Sequence, residues 1–170
     1  VDKKVIGCVG HLEDYHKNQS FLIKLLKRIN NNKYSLMLIG DGSDLQFLKR
    51  LANESGLCDK VIFINGISDT SSFYSAFDAF CLASHFEGLG IVCVEAIANG
   101  LMPIISTNVP KIPELSKFEI AVDASEDNFD EWIDAIEKTH RDTSLFESVK
   151  NSSFSIDNAS KELFKIYCNI

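Results

Sequence analysis

No block of lysine and arginine occurs anywhere in these 170 residues, and the formal net charge is −7. Nucleic acid and anionic membrane surfaces both select a clustered basic face, so neither is expected as the main partner. No apolar run reaches the roughly 18 residues that a membrane helix needs, and no signal-peptide pattern is visible. The five cysteines, Cys8, Cys58, Cys81, Cys93 and Cys168, include no Cys-x-x-Cys pair. An odd number, with Cys8 and Cys81 inside apolar runs, argues against a disulfide framework or a zinc site and for a reducing, cytoplasmic compartment. His11, His16, His85 and His140 share no ligand spacing of the His-x3-His kind. Internal repeats and low-complexity linkers are also missing. What is there is an ordinary globular composition, 45% hydrophobic and 24% charged, at a length that suits one domain with a full core. A strand begins almost at Val1, which suggests a piece of something longer.

Apolar runs alternate with helical patterns along the whole chain. Strands are expected at Val5–Val9, Leu36–Ile39, Val61–Ile64, Ala79–Ala83, Pro103–Ser106 and Ile120–Val122. Between them, Phe21, Leu22, Leu25, Leu26 and Ile29 recur at helical spacing within Asn18–Ile29, and Leu45, Leu48 and Leu51 outline a helix running to Gly56. A short helix is expected over Ser71–Ala76, and Ile91–Ala98 is closed by Asn99-Gly100, a helix stop. Asp127 is placed to cap a helix whose Phe129, Trp132, Ile133 and Ile136 share one face, and a last amphipathic helix is expected from about Asp157 to Cys168. This order predicts an α/β fold: a doubly wound, Rossmann-like parallel sheet of about six strands in one domain spanning 1–170. Such sheets bind ligands beyond the carboxyl ends of their strands.

One of those ends carries most of the information. Between the fourth strand and the helix that opens at Ile91 lies Ser84-His85-Phe86-Glu87-Gly88-Leu89-Gly90, with Glu95 eight positions beyond Glu87. Gly88 and Gly90 fall where a chain leaving a strand must turn sharply and present free N–H groups at a helix start, which is an anion site that needs no basic side chain. With a rise of 1.5 Å per residue, the two carboxylates stand on the order of 10 Å apart. A glycosidase pair is closer, roughly 5 to 9.5 Å, so the glutamates are better suited to bracket an extended ligand than to act as a hydrolytic acid and base.

After the first strand comes Gly10-His11-Leu12, then Lys17-Asn18. Gly40-Asp41-Gly42 follows the second strand, Glu87 and Glu95 the fourth, and Ile112-Pro113-Glu114 the fifth. Four motifs in this order, each at a strand end, resemble the nucleotide-sugar-binding C-terminal half of the family 4 retaining glycosyltransferases. That family has two Rossmann-like domains in the GT-B arrangement, and the resemblance covers nearly the whole chain. It implies one half of a GT-B enzyme that binds a UDP-sugar, GDP-sugar or similar donor. The donor sugar would go to an acceptor sugar or lipid-linked glycan held through an N-terminal domain, in polysaccharide or glycoconjugate synthesis. By itself the chain is then expected to bind donor and turn over little or nothing. Its last helix would pack toward the N-terminal domain, and that domain could bring the protein to the inner face of a membrane.

The resemblance also assigns roles. Lys17 matches the lysine that contacts the donor diphosphate, Glu87 the first glutamate beside the donor sugar and reacting centre, and Glu95 the one that holds the ribose hydroxyls. The amides around Gly88, Leu89, Gly90 and Ile91 would meet phosphate and sugar oxygens. Gly40 and Gly42 lie on the same rim, either as ligand contacts or as a tight turn, and Gly66 and Ile67 occupy the loop near the base. Two departures stand out. His11 replaces the usual arginine, removing a permanent charge and a bidentate fork, and Pro110-Lys111 replaces the usual Gly-Gly before Pro113-Glu114. No Asp-x-Asp occurs, so neither the metal-bridged diphosphate of the other large glycosyltransferase class nor any other cofactor is indicated.

Rival readings stand beside this one. A sugar-nucleotide epimerase of similar architecture needs further acid and base side chains in the cleft, where only Glu87 qualifies. A non-catalytic nucleotide-binding domain is made thinkable by His11 and the lost Gly-Gly. A receiver-type signalling domain fits the sheet but lacks an acidic cluster at the first strand end. Phe73, Tyr74, Phe77 and Phe80 have the spacing of core residues and are given no function.

Overall fold

The computed structural model describes residues 3–29, 32–67, 69–111, 113, 116–155 and 158–160. Their strands are β1 (Lys4–Val9), β2 (Tyr34–Ile39), β3 (Val61–Ile64), β4 (Ala79–Leu82), β5 (Pro103–Ser106) and β6 (Ile120–Val122). They form one sheet in the order β3-β2-β1-β4-β5-β6, and every pairing is parallel. This is the six-stranded Rossmann-like sheet expected from the alternating pattern. In an open parallel sheet every strand is covered on both faces, and the residues of β4 and β5 are buried throughout.

The helices are α1 (Asp14–Lys17), α2 (Gln19–Ile29), α3 (Leu45–Glu54), α4 (Ile91–Ala98), α5 (Phe129–Lys138) and α6 (Leu145–Lys150). Because successive strand residues face opposite sides, Ile6 and Cys8 join Leu36, Leu38 and Cys81 under α2, α3 and α5, while Val9, Ile39, Phe80 and Ile105 face α4. Trp132 of α5 is fully buried against Phe21 of α2, and its indole N–H donates to the Asp123 carbonyl. Leu145 of α6, with Val149 beside it, packs on Val94 and Ile97 of α4.

Two local expectations are corrected. The helix expected from Asn18 begins instead at Gln19, because Asn18 has φ 51°, a left-handed conformation that asparagine tolerates, and it ends the separate short turn α1. Lys17 therefore closes α1 and does not open a long helix. Asp127 lies inside a 3₁₀ turn, Glu126–Asn128, and the residue at the N-cap position of α5 is Asn128. Asp44 stands at the start of α3 without a side-chain cap; its carboxylate accepts from the Asp14 N–H at 2.8 Å and so ties α1 to the loop after β2. Of the helix expected over Asp157–Cys168, only 158–160 is described and is helical; the remainder lies outside the described residues.

Candidate functional site

Neighbouring strands β1 and β4 mark the point where the strand order reverses, the place where a crevice opens in sheets of this kind. The loops that leave these two strands are tied together by one carbonyl: His16 O accepts the N–H of His85 at 2.8 Å and of Phe86 at 3.2 Å. That tie sets Lys17 against Glu87, with Nζ 2.7 Å from Oε2 and both side chains largely buried, 21% and 13% exposed. Ser84 Oγ lies 3.5 Å from the same oxygen. Both charges reach the buried Cys8, whose thiol pKa is pushed up to about 12 by burial, with Lys17 opposing and Glu87 reinforcing the shift.

Gly90 holds the N-cap position of α4 with φ 63°, a left-handed turn that a side chain would strain by about 1–2 kcal/mol. Beyond it the first N–H groups of α4 have no partners within the helix and lie at its positive end. A cavity of about 210 Å³ opens at this point, lined by Val9, Gly10, Lys17, Glu87 and residues 89–92. One ammonium, one carboxylate and a helix start therefore face one small volume. Leu89 and Ile91 are exposed, and Gly88 opens on the far side of Leu89.

Glu95 sits one turn into α4, half-buried, and does not line that cavity. Its Oε2 accepts a 2.6 Å hydrogen bond from the hydroxyl of Tyr74, which belongs to the 3₁₀ turn Ser71–Ala76. Tyr74 is fully buried beside Phe77 and Phe80. Burial first, then the Glu95 carboxylate, drives its phenol far above the ordinary range, so it stays a donor. Phe77 and Phe80 are core, as their spacing indicates, but Tyr74 is core with a polar end at the site. The one signal for this in the sequence is that a buried tyrosine needs a partner for its hydroxyl.

The remaining predicted positions separate clearly. A Cβ on Gly40 would stand 2.1 Å from Gly10 O, and one on Gly42 2.1 Å from Leu12 O, so both glycines let the loop after β2 press against the loop after β1. Leu12 N donates to Asp41 O and Asp44 N to Leu12 O across this junction. Gly66 N donates to the Asp41 carboxylate at 2.9 Å, while Ile67 packs on the core at the α4 face. His11 is exposed, its carbonyl fixed by Gln19 Nε2 at 2.8 Å. Pro110, Lys111 and Pro113 line a second cavity of about 190 Å³ with Gly88, Leu89 and Phe154, so the exchange for Gly-Gly puts one proline and a cation on that wall beside Pro113. Glu114 and Ile112 lie outside the described residues. Among the described residues no group of histidine, cysteine or carboxylate side chains is arranged to hold a metal.

The profile of the glycosyl transferases group 1 family matches residues 1–153. The chain belongs to the group 1 glycosyl transferases. Within this family it is 36% identical over 110 residues to an uncharacterized glycosyltransferase of Haemophilus influenzae, covering 64% of this chain and 31% of that protein. It is 33% identical over 159 residues to the capsular polysaccharide biosynthesis glycosyltransferase CapM of Staphylococcus aureus, covering 87% of this chain and 40% of that one. In structure it resembles Anabaena HepE, solved in complex with UDP-glucose, with a TM-score of 0.79 at 18% identity, over 99% of this chain and 49% of that one. The fold is thus that of the GT-B glycosyltransferases, and this group 1 chain spans less than half the length of each of these three relatives. No helix among its described residues is long and apolar enough to cross a membrane.

Proposed function

We propose that the chain is the donor-binding half of a family 4 retaining glycosyltransferase, which holds a nucleotide diphosphate sugar for transfer with retention at the anomeric carbon. The observation that carries this reading is the Lys17–Glu87 pair beside the start of α4, at the switch point of the sheet. A diphosphate laid across the opening amides of α4 and against Lys17 meets positive charge from two sources, and the same groups stabilise it as it departs. No metal or other cofactor is needed for that step. Glu87 acts at the donor sugar and reacting centre, and Glu95 accepts hydrogen bonds from the ribose hydroxyls. His11 and the amides of 88–91 meet phosphate and sugar oxygens, Gly40 and Gly42 hold the rim in shape, and Gly66 and Ile67 face the base.

The presence of UDP-glucose in the Anabaena structure supports the donor class. The capsule-synthesising relative supports an acceptor that is a growing glycan, bound through a domain outside this chain on the cytoplasmic side of a membrane. A calorimetric panel of UDP-, GDP- and ADP-sugars against the intact protein is the test. One of them is expected to bind in the micromolar to millimolar range and to be weakened at least about tenfold by Glu95→Ala, the loss of hydrogen bonds to a charged acceptor. Failure of all of them to bind would reject the donor site.

A further inference from the structure

Tyr74 stands outside every motif that marks the site, yet it is the side chain that grips Glu95. We propose that Tyr74 is a positioning residue for nucleotide recognition: its hydroxyl fixes one oxygen of the Glu95 carboxylate and so aims the other at the ribose. The inference rests on the reading of Glu95 as the ribose acceptor.

The geometry favours this role over a tyrosine that is merely satisfied. Tyr74 OH lies 2.6 Å from Glu95 Oε2 and 3.4 Å from the Val92 carbonyl; a single proton serves one acceptor, and the short contact to the carboxylate takes it. A carboxylate has about four lone-pair sites, so one bond from Tyr74 leaves Oε1 whole and part of Oε2, enough for two vicinal hydroxyls. The ring has no freedom to leave, being fully buried with Phe77 and Phe80 at centroid distances of 5.6 and 5.7 Å. Its backbone is pinned as well. Arg141 donates to the carbonyls of Tyr74 at 2.9 Å and Phe77 at 2.7 Å, and to that of Asn99 at the end of α4. One guanidinium therefore ties the turn that carries Tyr74 to the helix that carries Glu95, while the phenol ties their side chains. An unsupported glutamate would lose rotamer freedom on binding ribose; a held one has already lost it.

The test is calorimetry of the intact protein with UDP, GDP and ADP and with their 2′,3′-dideoxy counterparts, comparing wild type, Tyr74→Phe, Glu95→Ala and the double variant. Phenylalanine keeps the ring packing, so the fold is retained. Wild type is expected to prefer the ribonucleotide that binds best over its dideoxy form by at least about tenfold, and Glu95→Ala to erase that preference. Tyr74→Phe is expected to reduce the preference about three- to tenfold while leaving dideoxynucleotide affinity unchanged, and the double variant to match Glu95→Ala. A lower melting temperature with the ribose preference intact would make Tyr74 a core residue only and overturn the proposal. Persistence of the preference in Glu95→Ala would instead strike the ribose role of Glu95, and the proposal with it.

Discussion

Lys17 Nζ and Glu87 Oε2 meet at 2.7 Å from loops that follow neighbouring strands, although the two residues stand 70 positions apart in the chain. The contact is a charge pair in which, on the proposed reading, each partner also serves a ligand. A diphosphate arriving at the start of α4 has to share Lys17 with Glu87, and removing the glutamate's charge frees the lysine for it. Glu87→Gln is therefore expected to keep nucleotide affinity within about threefold while sugar transfer by the intact protein falls about 10²–10³-fold, the scale for losing one group that acts on developing charge. Lys17→Ala is expected to weaken nucleoside diphosphate binding about ten- to hundredfold, as for a lost hydrogen bond to a charged group. Calorimetry and steady-state transfer rates separate the two. Equal losses of binding and transfer in Glu87→Gln would argue against its place at the reacting sugar.

His11 is exposed and directly follows Gly10, which lines the same cavity, at the position where the resemblance expects an arginine. His11→Arg adds a permanent charge and a planar fork at a wet site, where an ion pair contributes about 0–1 kcal/mol. The variant is expected to bind the preferred nucleoside diphosphate about two- to fivefold more tightly, with the gain shrinking as salt is raised. Unchanged affinity at low salt would mean that the side chain points away from the phosphates.

The sheet was legible because strands buried on both faces leave unbroken apolar runs, and each of the six lies within two residues of its expected bounds. Lys17, Glu87 and Glu95 were legible as motif residues, but their partners were not. Pairing of Lys17 with Glu87 depends on the His16 carbonyl that locks two loops, and nothing local in either segment encodes it. Tyr74 lay hidden among Phe73, Phe77 and Phe80, since its hydroxyl finds Glu95 only once the 3₁₀ turn docks on α4. Asn18 gave no sign of a break, because an asparagine inside a helical pattern is common and only its positive φ divides α1 from α2. Gly40 and Gly42 were left between ligand contact and tight turn; the close approach of Gly10 O and Leu12 O explains both by packing.

That packing has a measurable cost if disturbed. Any Cβ at Gly42 would fall 2.1 Å from Leu12 O and about as close to the rest of that peptide, and backbone cannot swing aside as a flexible side chain can. Gly42→Ala should therefore destabilise the fold by about 1–3 kcal/mol, the usual penalty of overpacking. At roughly 2–4 °C per kcal/mol for a chain of this size, the melting temperature should drop by about 2–12 °C. Gly88→Ala, with open space around the position, is the comparison and should melt like the wild type. If the two variants melt together, the two loops are not in contact as described.

Alkaline pH acts on the buried thiols of the core. Cys8 is raised from an ordinary value of 9.0 to about 12, chiefly by burial, and Cys81 and Cys93 are raised by the same cause. In the unfolded chain these thiols ionise near pH 9, whereas in the fold they hold their protons, so between about pH 9 and 12 the folded state binds more protons than the unfolded one. Stability is then complete below pH 9 and falls as pH rises through that window. Urea midpoints taken at pH 8, 9, 10 and 11 should decline steadily, and Cys8→Ala should make the decline shallower. The same burial sets reactivity, because the thiolate is the nucleophile and Cys58 is exposed while Cys8, Cys81 and Cys93 are not. With Cys168 changed to serine, iodoacetamide at pH 8 should label Cys58 at least about a hundredfold faster than the other three, whose labelling should appear only with unfolding in urea. Rapid labelling of Cys8 in the native protein would show that the core around it is not closed as described.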